Sequence, residues 1–520
     1  MKNFIYLTVF CVLLITGVLT AQNITGTLGQ NGVFVVKDGT NNFLTLDQAT
    51  GYLTLKSGVL FNADGRFLHN YGTDNTFLGI NSGNFTMTGV WNTSVGVGTL
   101  ASNTSGSSNI AIGYGSLNSN STGSSNTATG TFSLFGNTTG IENTANGNAT
   151  LSNNTTGSEN TAVGYQALHF NTTGSYNTAV GTVSLTSNTT GYANTGCGIA
   201  SLNSNTIGTN NSAFGNVALF SNTDGDRNSA FGDGSLFSST TGDWNSASGY
   251  QSIYSNTIGN GNSAYGYQSL FSNTTGSWNS ALGYRSLYFN TIGTYNSTFG
   301  YESLYANTTG IQNSAFGYRA LILNTTGNQN VAIGHSSLYN NTSGSNNVGI
   351  GNNAPVPSGT SDNQVRIGNI WVTYAGVQVA WTITSDRRWK ENILSSDLGL
   401  GFITKLNPVS YTRKNDKNKK TEYGLIAQEL EEVLKSEGIE NSGMLTVTDE
   451  GYYELRYNDL LAPMIKAIQE LAIKNEKLKI ECDQLKNELE SVKELHIRLA
   501  KLEQLLINAE TKFTSNTIEQ

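Results

Sequence analysis

The chain has 520 residues, more than one hydrophobic core organises, so several domains are expected. Charged residues make up only 12% and the net charge is -8, which excludes a basic nucleic-acid footprint and a highly charged disordered coil. With Gly 59 but Pro only 4, a collagen-like or proline-rich stalk is excluded as well.

Lys2 precedes the apolar run from Phe4 to Val18, and Leu19-Thr20-Ala21 offers a cleavage site before Gln22. Residues 1–21 therefore read as a secretory signal peptide. The competing reading is a retained membrane anchor, for which the run is short. No later stretch is apolar and long enough to cross a membrane, so no span is expected after signal removal. Cys11 would leave with the signal; Cys197 and Cys482 are too few for a disulfide framework.

Residues 22–74 read as a β-rich cap. The runs Val33–Val36, Phe43–Leu46 and Tyr52–Leu55 favour strands, broken at Asp38-Gly39 and Gly51. Such a cap would shield the first coil of the following array from edge pairing. His69 stands alone in sequence and reads as a surface histidine rather than a ligand.

From residue 75 to 354 one asparagine returns every seventeen residues, from Asn75 through Asn160 and Asn262 to Asn347, with no insertion. A fixed period of this size is the mark of a solenoid. The unit is too short for two helices and a turn. Its start, as in Asn160-Thr161-Ala162-Val163-Gly164, alternates small and larger residues with strand periodicity. Gly164 and its equivalents, and the loop glycines Gly174, Gly225 and Gly276, suit turns that need positive φ. The repeated asparagines can bond as ladders, and Leu168, Leu219, Leu270 and Leu287 would stack inside. Seventeen coils at about 4.8 Å each give a rod of roughly 80 Å. One coil carries little apolar material, so three chains packed side by side are expected to complete the burial.

Two functional readings of the array have structural rivals. The tyrosines Tyr114, Tyr165, Tyr250, Tyr267, Tyr284 and Tyr301 share one position and could stack carbohydrate, but a packing ladder explains them better. Many Asn-X-Thr/Ser triplets match glycosylation acceptors, but the repeat itself generates them. After Pro355 and Pro357, residues 355–384 read as a β neck, with strands over Gln364–Gly368 and Val377–Ile383.

Composition changes at Thr384-Ser385: glycine-rich and nearly lysine-free before, charged and helical after. Ser385 and Lys390 stand five apart. A serine hydroxyl needs a base to become a nucleophile, and a lysine serves if a dry pocket favours its neutral form. That pair alone carries no specificity. Farther on, Leu471, Leu478, Leu485, Val492, Leu499 and Leu506 recur every seven residues. Ile468 and Leu489 fill the alternate seam, interrupted by Asn475, Cys482 and His496. Residues 466–511 therefore read as a coiled coil. About forty residues would make a rod of roughly 60 Å. Cys482 and His496 read as seam residues, not as a redox centre or a metal ligand.

Two resemblances sharpen the reading. The Asn-Ser/Thr-Ala-Val/Phe-Gly unit resembles the head repeat of trimeric autotransporter adhesins, which implies a trimeric parallel β-roll; the extra Asn-Thr-Thr-Gly loop is a departure. Ser385-Asp386-Arg387-Arg388-Trp389-Lys390-Glu391-Asn392-Ile393 resembles the start of the intramolecular chaperone of phage endosialidase tail spikes (peptidase family S, number seventy-four). Leu406–Tyr411, Tyr423–Leu430, Tyr457–Pro463 and Lys466–Leu471 resemble its later motifs in order. Trp389 is a departure, since smaller residues are common there. The likeness implies a chaperone over 385–465 that cuts its own chain between Thr384 and Ser385. Ser385 would be nucleophile and Lys390 base, with Asp386, Glu391 and Asn392 in support, after the trimer has folded.

The expected fold is thus mainly β: a trimeric solenoid, a small α+β chaperone and a trimeric coiled coil. The expected function is a secreted or bacterial cell-surface homotrimeric fibre, adhesin-like, meeting a surface glycan or receptor. No cofactor or metal site is expected. The rivals are a structural appendage whose chaperone stays attached, and a glycan-processing tail spike. Paired acidic residues at a recurrent site, which the latter would need, are absent from the array.

Overall fold

In the computed structural model, residues 65–516 are described throughout, together with strands Thr25–Leu28, Phe34–Asp38, Asn41–Leu46, Leu53–Leu55 and Val59–Asn62. The signal peptide expected over 1–21 lies outside the described residues. The chain divides into two compact units, 1–369 and 370–520.

The first unit opens on an antiparallel meander of Thr25–Leu28, Phe34–Asp38, Asn41–Leu46 and Leu53–Leu55. A hairpin of Val59–Asn62 and Gly65–His69 follows, and its second strand pairs antiparallel with Thr76–Leu78, the first rung of the solenoid. That hairpin occupies an edge that would otherwise offer free N–H and C=O groups. His69, expected at the surface, is instead buried. Its Nδ1 accepts from the Tyr71 N–H at 3.3 Å, which leaves Nε2 to donate to the Ser82 carbonyl at 2.6 Å. The ring also stacks on Phe77 with centroids 4.7 Å apart. This histidine ties the cap to the first coils, a role its sequence neighbours do not reveal.

The solenoid is a parallel ladder of three-residue strands, each paired residue for residue with the strand seventeen positions later. In Thr161–Val163 the middle Ala162 points inward and its neighbours outward. Leu168, Leu219, Leu270 and Leu287 form the expected inner stack, all fully buried. Asn160 donates from Nδ2 to Asn143 Oδ1 at 3.0 Å and to the Gly174 carbonyl at 2.9 Å. Its own Oδ1 accepts the Asn177 backbone N–H at 3.0 Å. A second ladder runs through the loop asparagines: Asn171 donates to Asn154 Oδ1 at 2.7 Å and to Gly174 O at 2.9 Å. Asn171 is fully buried, so this triplet is a structural rung and not a glycosylation acceptor.

Three expectations change here. The Leu, Ala and Asn columns are enclosed by a single chain, so neighbouring chains are not what completes this core. Two hydrogen-bonded asparagine ladders supply the contacts that apolar area alone would not. Second, Gly164 has the expected left-handed φ of 132°, but Gly174 does not; glycine is required there for space. A Cβ on Gly174 would lie 2.4 Å from both Asn171 Oδ1 and Gly191 O. Left-handed backbone falls instead on the buried leucines, with φ of 52° at Leu168. Third, the parallel ladder extends one rung past the array, to Val365–Ile367 in the expected neck. Gln364 replaces the ladder asparagine and still donates its N–H to Asn347 Oδ1 at 2.8 Å. Its side chain turns back on Ser358 and Ser361, closing the column.

The loop ladder has one gap. Ser239 stands where Asn recurs, and both Ser239 Oγ and Asn222 Oδ1 are buried without a hydrogen-bond partner.

In the second unit, Val377–Ile383 is not a strand; it lacks a ladder partner, and Val377, Val379, Trp381 and Ile383 are all exposed. A small α+β core follows. Leu398, Phe402, Leu430, Leu434, Met444 and Leu460 meet at its centre. They come from the helical turn Leu400–Ile403, the helix Ala427–Ser436, the hairpin Leu445–Val447/Tyr453–Leu455 and their flanks. A second antiparallel pair joins Val409–Thr412 to Thr421–Gly424. The chain ends on one helix, Leu461–Asn516, of 56 residues, about 84 Å at 1.5 Å per residue and longer than the heptads alone mark out. Pro463 lies in its first turn, where no backbone donor is missed. Glu470 reaches from this helix to the Leu400 N–H at 2.8 Å and so caps the short helical turn. Leu471, Leu478, Leu485, Val492, Leu499 and Leu506 are exposed along it. Among the described residues no helix is long and apolar enough to cross a membrane.

Candidate functional site

The junction is built around one short turn. Asp386 caps the 3-10 helix Arg387–Trp389, accepting the Arg388 N–H at 2.8 Å. The Arg388 guanidinium closes on the same carboxylate, with Nη2 to Oδ2 at 2.7 Å. The Arg388 side chain first, and its backbone N–H second, hold the Asp386 carboxyl below the usual carboxylate range. The same bond raises the arginine.

This turn reverses the chain and brings residues 385 and 390 together. Lys390 Nζ lies 2.7 Å from Ser385 Oγ. A serine and a lysine five apart meet in this way only if the intervening residues fold back, and the Asp386 cap supplies that fold. Asp386 thus acts on the pair through the backbone. Thr384, Ser385 and Lys390 are all exposed in the single chain, as are Glu391 and Asn392. Asn392 adopts a left-handed φ of 50°, a conformation asparagine tolerates better than most residues. Trp389 points into solvent at 82% exposure and stays clear of the pair.

The chaperone motifs read from sequence occupy the elements that hold this unit together. Tyr411 and Tyr423 lie on the paired strands, and Leu430 on the helix enters the core. Tyr457 offers its hydroxyl oxygen to the Leu425 N–H at 2.9 Å, fastening the start of the last helix to the strand-to-helix turn. Asp416 accepts the N–H groups of Asn418 and Lys420, and the Asn418 bond is the main reason its carboxyl lies below the usual range. Sequence reasoning missed the local turn that Asp416 makes, and it placed Glu470 in a motif without its role, because the Leu400 N–H that Glu470 caps lies 70 residues away.

The other sites weighed from sequence resolve structurally. Tyr250, Tyr267, Tyr284, Tyr301, Tyr318 and His335 stack with centroids 4.8 to 5.2 Å apart. In that run the faces cover one another, so it is a ladder and not a platform for sugar rings; Tyr114 instead meets Phe132 edge-on at 5.3 Å, and Tyr165 is exposed between coils that carry Asn148 and Thr182 at its position. Asp226 and Asp243 accept backbone N–H groups of the preceding coil, at 2.6 and 2.7 Å. Among the described residues no cluster of metal-ligating side chains occurs.

Residues 385–439 match the family model for the chaperone of endosialidase. No curated protein matches the chain. No solved structure matches it either. The matched segment starts on Ser385 and runs through the core helix, and it follows a β-solenoid, the order of a fibre or tail-spike-like protein. The chain thus carries a chaperone of endosialidase domain at residues 385–439.

Proposed function

We propose that this protein is a secreted or cell-surface homotrimeric fibre with an adhesin-like role toward a surface glycan or receptor. Its C-terminal chaperone aligns three chains and is then released by cleavage between Thr384 and Ser385. The observation that carries the proposal is the 2.7 Å contact of Lys390 Nζ with Ser385 Oγ, at the first residue of the chaperone domain.

The chemistry needs no outside reagent except water. Neutral Lys390 takes the hydroxyl proton as Ser385 Oγ attacks the Thr384 carbonyl carbon. The carbon–nitrogen bond breaks, and the proton passes to the leaving amine, which becomes the new N-terminus of Ser385. The resulting ester on Oγ is hydrolysed, leaving a carboxylate on Thr384 and the hydroxyl on Ser385.

A lysine acts as base only when neutral, a form that a dry setting favours. In one chain both groups face water, so the drying has to come from neighbouring copies. The exposed Val377, Val379, Trp381 and Ile383 just upstream, and the exposed leucine seam of the last helix, supply apolar surface for such neighbours. Assembly then gates cleavage. Look-alike coils can pair out of step, and helices that align three ends set the register first. Severing the finished rod afterwards removes the route back.

The test is intact mass and a denaturing gel on wild-type protein, Ser385→Ala and Lys390→Ala. The wild type should lose residues 385–520 as one fragment, and neither variant should. Splitting at Thr384 in Ser385→Ala would end the nucleophile assignment. A wild-type trimer that stays full length would favour the uncut appendage.

A further inference from the structure

We infer that the outer face of the parallel ladder is the surface on which copies of this solenoid pack against one another along their length. The inference rests on the fibre reading and names the face it uses. Each three-residue strand turns its middle residue inward and its first and third outward. The outward residues form two rows along the rod. One is threonine and serine through most of its length. The other includes Phe214, Phe231, Leu282, Phe299 and Phe316, each more than a third exposed. In the last three rungs both rows are apolar, ending on Val365 and Ile367. No charged residue occurs in either row.

Parallel sheets are normally covered on both faces. Here the inner face closes on the Leu and Asn columns, and the outer face lies bare. Its area fits a stable interface: about 80 Å of ladder by about 10 Å of strand gives roughly 800 Å² per chain. What covers it must be flat, uncharged and regular at the rung spacing over that whole length. A second copy, set in step by the tail, has those properties. A charged polysaccharide would find no complementary charge, and a compact protein would reach only part of the stripe.

Cys197 lies in the apolar row and Cys482 on the last helix, so the chain carries its own probes. Full-length protein with Cys11→Ser is treated with a short bismaleimide in two forms, one with Cys482→Ser and one with Cys197→Ser. A control carries Thr190→Cys, in the exposed loop outside both rows, with Cys197→Ser and Cys482→Ser. The Cys482 form reports whether the tails assemble. The Cys197 form reports whether the ladder faces meet. Cys197 should cross-link between copies at least about ten-fold more than the Thr190→Cys control, as held thiols do over colliding ones. Phe214→Glu, one rung away and outward-facing, should abolish the Cys197 link and leave that of Cys482. Cross-linking at Cys482 with none at Cys197, or with equal yield at Thr190→Cys, overturns the face assignment and leaves the assembled tail standing. Cross-linking at neither native position overturns both.

Discussion

The gap at Ser239 allows a direct test of what holds the rod together. In its neighbours the equivalent residue is asparagine: Asn205 and Asn256 each donate to the glycine three residues on, at 3.0 Å. Asn222 still donates to Asn205 Oδ1 at 2.7 Å, but its own Oδ1 is buried with no donor. Ser239→Asn would place an amide within reach of Asn222 Oδ1 and the Gly242 carbonyl. It would also give Asn256 Nδ2 an acceptor. Satisfying one buried acceptor is worth about 1–3 kcal/mol. Because coils contact only their neighbours, the gain should be local. Hydrogen exchange followed by mass spectrometry should show slower exchange in the coils from 222 to 256 and none of that change near residue 120. Unchanged or faster exchange there would refute the claim that the ladder's hydrogen bonds add to the stability that apolar burial supplies. The mirror experiment is Asn273→Ala. It removes bonds of 2.8 Å to Asn256 Oδ1, Gly276 O and Asn290 Nδ2. Gly276 O keeps its bond from Asn262 and Asn290 keeps its bond to Gly293, so Asn256 Oδ1 is the group left stranded, at a cost of about 1–3 kcal/mol plus a cavity.

Lys390→Ala should slow self-cleavage by at least about 10²-fold, read as the fraction of cut chain over time on a gel, with trimer formation unchanged. Because the Asp386 carboxyl is depressed in the folded turn, its contribution is present above the ordinary carboxylate range and fades as pH falls through the lowered value. Cleavage by Asp386→Asn at neutral pH should therefore be slower than wild type, and a time course at several pH values checks both statements. Gly174→Ala should break the solenoid locally, since its Cβ would stand 2.4 Å from two oxygens; protease mapping would find a new cut near that coil. Leu270→Ala, in the fully buried leucine column, should cost about 2–5 kcal/mol, read as a lower denaturant midpoint.

Much of this protein is legible in its residues. The seventeen-residue recurrence of Asn by itself requires stacked coils of equal length, because a period survives only where each unit meets an identical neighbour. Heptad leucines require a long helix with one apolar seam, and the run from Ser385 to Asn392 marks where the match to the chaperone of endosialidase begins. Contacts distant in sequence were not legible. That Asn171 is a buried rung depends on Asn154 and Asn188 in the coils on either side. That His69 is a hidden tether depends on Ser82 and Phe77. That Gln364 continues the column under a different name depends on Asn347. Burial and hydrogen-bond closure are properties of neighbours, and a periodic chain brings its neighbours together only once it is wound. The Ser385–Lys390 contact is likewise set by the fold: the Asp386 turn, not the interval of five, places the two side chains 2.7 Å apart.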